Sequence, residues 1–342
     1  MALKRDRRTL IDVARLYYVD GLDQSTIGES LGLSKSTVSR ILTAAKEEGI
    51  IQVRIVGDDV ERNEELERQI TELYDIERVF VAASGSDPYE ATSRLAAQRF
   101  IELAPHAGRI GFGWGLTIQR MIQAIPTRSL GAEHVLTPLV GGMPTADTAP
   151  SGNNMIVALA ERLGCRSERF DAPAVVESSR TWNALMSESS VRTALENARA
   201  TDLAFVGIGT HGVHTSRLVI DAMKLNEEQL ARYLAQNPAG DMCGHYFDPD
   251  GKPLGSPTTN RVIGLTIENL QNLPRVIGIA AGNDRLPGLT GAIHTGALEE
   301  LCIDEEIARS LVRATGIGPG RADSGERCVC PACGAPHPRA AR

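Results

Sequence analysis

The stretch from Gln24 to Lys46, QSTIGESLGLSKSTVSRILTAAK, reads as two short helices joined by a tight turn. Ile27 and Leu31 are spaced i,i+4, so both are expected to point into a small core. Gly32 closes the first helix, where a left-handed residue carries little steric cost. Ser34 is placed to cap the next helix through its hydroxyl. From Lys35 onward, Val38, Ile41 and Leu42 form the inward stripe. The outward face is small, polar and basic: Lys35, Ser36, Thr37, Ser39 and Arg40, with Gln24 and Ser25 opening the first helix. Short hydroxyls at a helix start let backbone approach DNA closely, while Lys35 and Arg40 reach phosphates or guanine edges. The reading is a helix-turn-helix with a recognition helix from Ser34 to Glu48. Its expected DNA contacts are Gln24, Ser25, Ser34, Lys35, Ser36, Thr37, Ser39 and Arg40. An ordinary helical hairpin with a solvated charged face would need neither the small-residue turn nor the hydroxyl-rich helix start.

Outward from this motif, Thr9 to Asp20 reads as a first helix with Leu10, Val13, Leu16 and Tyr17 on one face, completing a three-helix core. After Gly49, the run Ile50-Ile51-Gln52-Val53-Arg54-Ile55 has strand character and suits a wing beside the recognition helix. The chain has 342 residues and a net charge of −7, which argues against nucleic-acid binding by the whole surface. Residues 1–46 nevertheless hold eight Lys/Arg against five acids, a basic head on an acidic body. No apolar run approaches the ~20 residues of a membrane span. The opening MALKRDRRTL lacks a following hydrophobic segment, and six cysteines in so long a chain do not suggest a disulfide framework. Membrane association is not expected, and a cytoplasmic location is.

Beyond residue 57 the texture changes. Residues 58–75 form a charged helix with Leu66, Ile70 and Leu73 at helical spacing, suited to linking domains, to pairing with another chain, or to packing on its own domain. Short apolar strands then alternate with amphipathic helices over 76–315. Strands are expected at Arg78–Ala82, Arg109–Gly113, His134–Val140, Phe170–Val175, Asp202–Ile208, Arg261–Leu265, Arg275–Ala281 and Glu300–Ile303. Helices are expected at Tyr89–Leu103, Leu116–Ile125, Asn154–Leu163, Ser189–Ala198, Glu227–Leu234 and Asp304–Ala314. Such alternation implies an α/β fold whose parallel sheet is covered on both faces. The chain thus divides into a winged helix-turn-helix domain (1–57), a helix (58–75), a ligand-binding domain (76–315) and a tail (316–342).

In such sheets ligands bind beyond the carboxyl ends of the strands. Three segments have the right form. Gly113, Gly115 and Thr117 lie in GFGWGLT, where Trp114 suits either stacking on a sugar face or core packing. Gly209 and Thr210 end DLAFVGIGT, and Arg285 follows AAGND, placed to clamp an anion. Asn153 and Asn154 open a helix after PLVGGM and suit either hydroxyl binding or helix capping. Asp241 and Asp248 flank GDMCGHYFDPDG, which reads as a hairpin turning at Asp250-Gly251, with His245 and Tyr246 as structural residues.

Together with the helix-turn-helix, the segments GFGWGLT, PLVGG, DLAFVGIGT, GDMCGHYFDPDGKPL, RVIGLTIENLQNLPRVIGIAAG and GALEELCIDEEIARSLV resemble, in order, the SorC/DeoR-type family of sugar-responsive bacterial transcriptional regulators. The resemblance implies a Rossmann-like effector domain related to sugar-phosphate isomerases and CoA transferases, binding a sugar, polyol or sugar phosphate and controlling the grip of a homodimer or homotetramer on operator DNA. Matched by motif, it assigns effector contacts to Gly113, Gly115, Thr117, Gly209, Thr210, Asp241, Arg261 and Arg285. Members commonly carry Lys where this chain has Arg285. Its lysines (Lys4, Lys35, Lys46, Lys224, Lys252) end no expected strand, so Schiff-base capture is not expected. The competing reading is an isomerase or transferase with accessory helices. Glu177, Asp202 and Glu268 give it no convergent acid–base set. No cofactor is expected. The tail residues Cys328, Cys330, Cys333 and His337 offer four tetrahedral zinc ligands, at a spacing unlike paired zinc ribbons.

Overall fold

Three helices, α1 (Arg7–Tyr18), α2 (Gln24–Leu31) and α3 (Lys35–Glu47), enclose an apolar core of Leu10, Val13, Ile27, Val38, Ile41, Leu42 and Ala45 in the first of two units of the computed structural model. The units are Met1–Asp58 and Asp59–Arg342, and the structure describes residues 7–51, 60–83, 87–143 and 152–314. The wing from Gln52 to Ile55 and the cluster of Cys328, Cys330, Cys333 and His337 therefore lie outside the described residues.

Local chemistry fixes the two-helix turn. Asp23, one residue before the expected start, caps α2 by accepting from the Ser25 amide at 2.8 Å and the Thr26 amide at 3.0 Å. Gly32 adopts φ 67°, and the Ser34 hydroxyl accepts from the Thr37 amide at 3.2 Å to start α3. Leu31 does not join the core: it is 44% exposed. Gly28 takes that place, because a Cβ there would sit 2.5 Å from the Leu33 carbonyl oxygen. Backbone packs on backbone at this turn, with the Leu33 amide donating to the Gly28 carbonyl at 2.8 Å.

The second unit runs α4 (Glu64–Tyr74), β1 (Arg78–Ala82), α5 (Pro88–Leu103), β2 (Arg109–Phe112), α6 (Leu116–Ala124), β3 (Val135–Pro138), α7 (Gly152–Leu163), β4 (Arg166–Ser167), α8 (Ser179–Ser187), α9 (Ser189–Arg199) and β5 (Leu203–Thr210). It continues with α10 (His214–Ala222), α11 (Glu227–Leu234), β6 (Gly240–Met242), β7 (His245–Phe247), α12 (Ile267–Gln271), β8 (Val276–Ala280), α13 (Leu286–His294), β9 (Glu300–Asp304) and α14 (Glu305–Ala314). The strand order β1-β9-β8-β5-β2-β3-β4 is parallel throughout. Apolar strands buried on both faces give this arrangement: residues of β8 and β9 are all buried. Alternation then sorts the side chains. Ile110, Phe112, Leu203, Phe205, Ile277 and Ile279 face one core, and Ala204, Val206, Ile208, Val276, Leu301 and Ile303 face the other.

The chain leaves β2 outward through β3 and β4, then returns to β5 and proceeds the other way through β8 and β9. The sheet therefore has its topological switch between β2 and β5, where connections diverge and open a crevice beyond the strand ends. Helix α4 docks on this unit through Leu66 and Ile70, with the Tyr74 hydroxyl donating to the Leu311 carbonyl at 3.1 Å. The outer side of β1 is closed by the Asn63 amide on the Val81 carbonyl (3.0 Å), the Ala83 amide on the Glu61 carbonyl (2.7 Å) and the Val81 amide on Glu67 Oε1 (2.9 Å).

Two expected strands are absent. Phe170–Val175 and Arg261–Leu265 are extended but make only isolated bridges, Gly142 to Pro173, Val175 to Val262 and Val140 to Gly264. Pro173 has no amide to give a ladder. Helices α8, α10, α12 and α13 were not expected from the sequence. The hairpin turns at Cys243-Gly244, with φ values of 51° and 79°, and not at Asp250-Gly251; the latter makes a second reversal that sets Phe247 against Pro253.

A fully buried carboxylate, Glu300, is held by Arg99 (Nε to Oε2 2.6 Å, Nη2 to Oε1 2.9 Å) and by Arg275 (Nη1 to Oε1 2.9 Å). Removing one partner leaves a half-compensated buried charge, so Arg99→Met is expected to cost about 3 kcal/mol, read as a lower urea midpoint. In β7, burial pushes the His245 imidazole from 6.5 down to about 4, and its Nε2 has no partner among the described residues. A depressed folded pKa stabilises above the unfolded value and loses that contribution as pH falls. We expect about 3 kcal/mol of stability to disappear between pH ~6.5 and ~4. In His245→Gln that part of the slope is absent, as urea titrations at a series of pH values would show.

Candidate functional site

The crevice at the β2–β5 switch is walled by the segments that follow three strands. After β2, the Gly113 amide donates to the Phe205 carbonyl at 2.8 Å, tying the loop to β5. Gly115, at φ 124°, starts α6 with no side-chain cap, so the first amides of that helix are unsatisfied by it. After β5, the chain turns into α10, whose start also lacks a side-chain cap. After β8, Gly282 at φ 88° leads through a short turn to Arg285, which is buried.

The β6–β7 hairpin brings the fourth component. β5 pairs antiparallel with β6, setting Gly209 opposite Asp241. The approach is so close that a Cβ on Gly209 would lie 2.1 Å from Asp241 Oδ1. Asp241 Oδ2 accepts from the Gly244 amide at 3.2 Å, while Oδ1 has no partner among the described residues. Burial pushes this carboxyl up; hydrogen bonds from Ser216 and the Gly244 amide, and the Arg285 charge, hold it down. Among the described residues the Arg285 guanidinium makes one long hydrogen bond, Nη1 to the Ile208 carbonyl at 3.4 Å, and Nε lies 4.0 Å from Asp284.

These groups enclose two adjoining spaces. A niche of ≈ 30 Å³ is lined by Thr117, Gly209, Ser216, Asp241, Cys243 and Arg285, among others. A chamber of ≈ 390 Å³ is lined chiefly by Phe112, Leu116, Pro138, Val140, Met143, Met155, Ile156 and Leu218. Trp114, Gly115, Leu116 and Thr215 border both. Of the residues singled out in the sequence, Gly113 and Asn153 border the chamber, Thr117, Gly209, Asp241 and Arg285 border the niche, and Trp114 and Gly115 border both.

Three others are placed elsewhere. Arg261 borders neither space: Nη1 donates to the Glu177 carbonyl and, at 2.6 Å, to the Met223 carbonyl, and Nη2 donates to Gln229 Oε1 at 3.2 Å. It is a staple between loops. The Thr210 hydroxyl accepts from the Gly288 amide at 3.2 Å and holds α13. Asn154 is exposed on α7. Even Asn153 is committed at both ends, donating to the Phe170 carbonyl at 3.1 Å and accepting from the Phe170 amide at 3.0 Å. Asp202, which accepts from the Arg109 amide at 2.8 Å, is at the entry of β5, the opposite end of the sheet.

The sequence reading missed Thr215, Ser216 and His214. His214 has φ 45° and its Nε2 lies 3.0 Å from Asp284 Oδ2, fastening the start of α10 to the turn before Arg285. The signal was present as HTS after a glycine-rich strand end, but it required recognising α10. Among the described residues no cluster of His, Cys, Asp or Glu is arranged to hold a metal, and no helix is long and apolar enough to cross a membrane. In the first unit, Ser25, Ser34, Lys35, Ser36, Ser39 and Arg40 are exposed and Gln24 and Thr37 are half-buried, so α3 presents one polar face to solvent.

The sorbitol operon regulator of Klebsiella pneumoniae is 26% identical to this chain over 322 residues, 90% of this chain and 98% of the relative. The deoxyribonucleoside regulator of Bacillus subtilis (strain 168) is 27% identical over 315 residues, covering 91% and 99%. Among solved structures, the full-length sorbitol operon regulator SorC from Klebsiella pneumoniae superposes with a TM-score of 0.66 at 26% identity, over 89% of this chain and 98% of that one. Residues 58–313 match the model of the sugar-binding domain family Sugar-bind, and the chain accordingly belongs to that SorC/DeoR-type family.

Proposed function

We propose that this chain is a DNA-binding transcriptional regulator whose hold on operator DNA is set by a sugar, polyol or sugar phosphate at the β2–β5 crevice. The observation that carries the reading is a solvent-facing, hydroxyl-rich and basic α3 in the same chain as a sugar-binding family domain. Its relatives are named a sorbitol operon regulator, a deoxyribonucleoside regulator and an erythritol catabolism regulatory protein. On this reading the α3 face, with Lys35, Ser36, Thr37, Ser39 and Arg40, meets DNA. Ser34, Gln24 and Ser25 border it.

The niche receives one polar or anionic group of the effector. Asp241 Oδ1 accepts from a hydroxyl, and Arg285 with the uncapped amides of α6 and α10 binds negative charge. Control follows from linkage: an effector that binds one arrangement better, and DNA that prefers another, lower each other's affinity by the same factor. Two heads reading half-sites call for a homodimer or homotetramer, acting in the cytoplasm. The crevice binds its ligand without turning it over. Cys243, the thiol bordering the niche, is pushed up to about 12 by burial and is not a nucleophile at neutral pH.

Fluorescence anisotropy on labelled promoter fragments, with and without sugars, polyols and their phosphates, tests the reading; indifference to every fragment at low ionic strength would end it. Arg40→Ala is expected to weaken operator binding about tenfold and to flatten its salt dependence by about one counterion, with effector affinity retained. Arg285→Ala should do the opposite. Asp241→Asn relieves a carboxylate that burial disfavours. At neutral pH, above the pKa of the unfolded carboxyl, the variant is expected to melt higher than the parent while losing its response to effector, as paired thermal-shift and anisotropy curves would show.

A further inference from the structure

We propose that the effector is amphiphilic, a carbohydrate head joined to an aryl or alkyl group, with the head at the niche and the apolar group filling the chamber. The inference rests on the regulator reading above and sharpens which ligand that crevice takes. It starts from size. At ≈ 30 Å³ the niche is small beside the chamber, so it seats a small polar or anionic group and not a whole sugar. The ≈ 390 Å³ chamber adjoins it across the shared border of Trp114, Gly115, Leu116 and Thr215 and takes the rest of the effector.

The chamber is poorly suited to a chain of hydroxyls. Among its described lining residues, the polar side chains are Gln119, Asn153, Thr215 and the indole of Trp114. Both ends of the Asn153 amide are already bonded to Phe170, and the Trp114 nitrogen is buried out of reach. That leaves Gln119 and Thr215. A hexitol laid here would meet only those two among the described side chains, and each hydroxyl buried without a partner opposes binding. An aryl or alkyl group meets Phe112, Val140, Met155 and Ile156 instead, and gains from leaving water.

The mouth gives a second, independent indication. Leu116 and Leu218, which line the chamber, are 41% and 58% exposed, and belong to the few large apolar side chains that the described surface leaves open. Leu116 opens α6 and Leu218 lies one turn into α10, two helices whose first residues, Leu116, Thr117, Thr215 and Ser216, border the niche. One ligand satisfies both features when its polar end meets the helix starts and its apolar end lies under these leucines.

The test is calorimetric titration of the full chain with matched pairs: a hexose and its phenyl glycoside, the same pair carrying a 6-phosphate, and inorganic phosphate against phenyl phosphate. The phenyl member of at least one sugar pair is expected to bind about ten- to a hundredfold more tightly than its parent. In Met155→Gln/Leu218→Gln that ratio is expected to fall below about threefold. A ratio compares two ligands on one preparation, so partial misfolding of the variant cancels. Parent sugars binding as tightly as their phenyl glycosides, or more so, overturn the inference. If such a parent also alters promoter binding, the regulator reading stands without it. Absence of binding by every phenyl member at millimolar concentration overturns the inference as well. If no sugar of either kind binds or alters promoter binding, the sugar-controlled reading fails with it.

Discussion

A carboxylate lodged against a glycine Cα governs the second unit. Charge out of water is unfavourable, and Asp241 is tolerated there because Ser216, the Gly244 amide and the Arg285 guanidinium each oppose the cost of burial. Each of those groups depends on a separate piece of backbone. Ser216 is on α10, Gly244 is in the left-handed turn of the hairpin, and Arg285 follows β8. Gly209 must be glycine for the carboxylate to come so near. The same glycine's carbonyl would meet a Cβ on Gly288 at 2.2 Å and one on Gly240 at 2.3 Å, so three chain segments touch backbone to backbone at one point. Close contact here is what lets groups far apart in sequence face a space of molecular size.

Much of this was legible in the amino-acid sequence, and the parts that were not share a cause. RVFVA at 78–82 carries a continuous apolar run from Val79 to Ala82 behind an exposed arginine, and it is a strand with those bounds. The helix-turn-helix was readable because caps and glycines are local devices. Helix α13 was not. LPGLTGAIH contains a proline and two glycines, which reads as loop, yet Gly288 and Gly291 are there because β5 and Phe247 press against the helix. Packing demand overrode intrinsic preference. Leu31 failed for a related reason: helical spacing places it near the core, but Gly28 lets the turn fold over that position.

Side-chain chemistry was legible as type and not as aim. Arg261 and Arg285 look alike in sequence, each in a glycine-containing segment beside an apolar run. Arg261 closes on loop carbonyls, and Arg285 borders the niche, where its charge acts on the buried Asp241 carboxyl. Which way a guanidinium turns is decided by carbonyls dozens of residues away, and no local pattern reports them. The division of the crevice into a small polar end and a larger apolar end was equally invisible, because Val140, Met155 and Leu218 come from three separate segments.

The margins of the sheet carry a consequence of another kind. An open strand edge is a template for a foreign strand, and proteins with such edges tend to aggregate. Here the side of β1 away from β9 is taken up over Val81 and Ala83 by Glu61, Asn63 and the carboxylate of Glu67. At the far margin β4 is only two residues long. Among the described residues neither border offers a long run of free amides and carbonyls for ribbon-like growth, so stickiness by sheet extension is suppressed there, and copies that meet are left with helix faces and loops on which to do so.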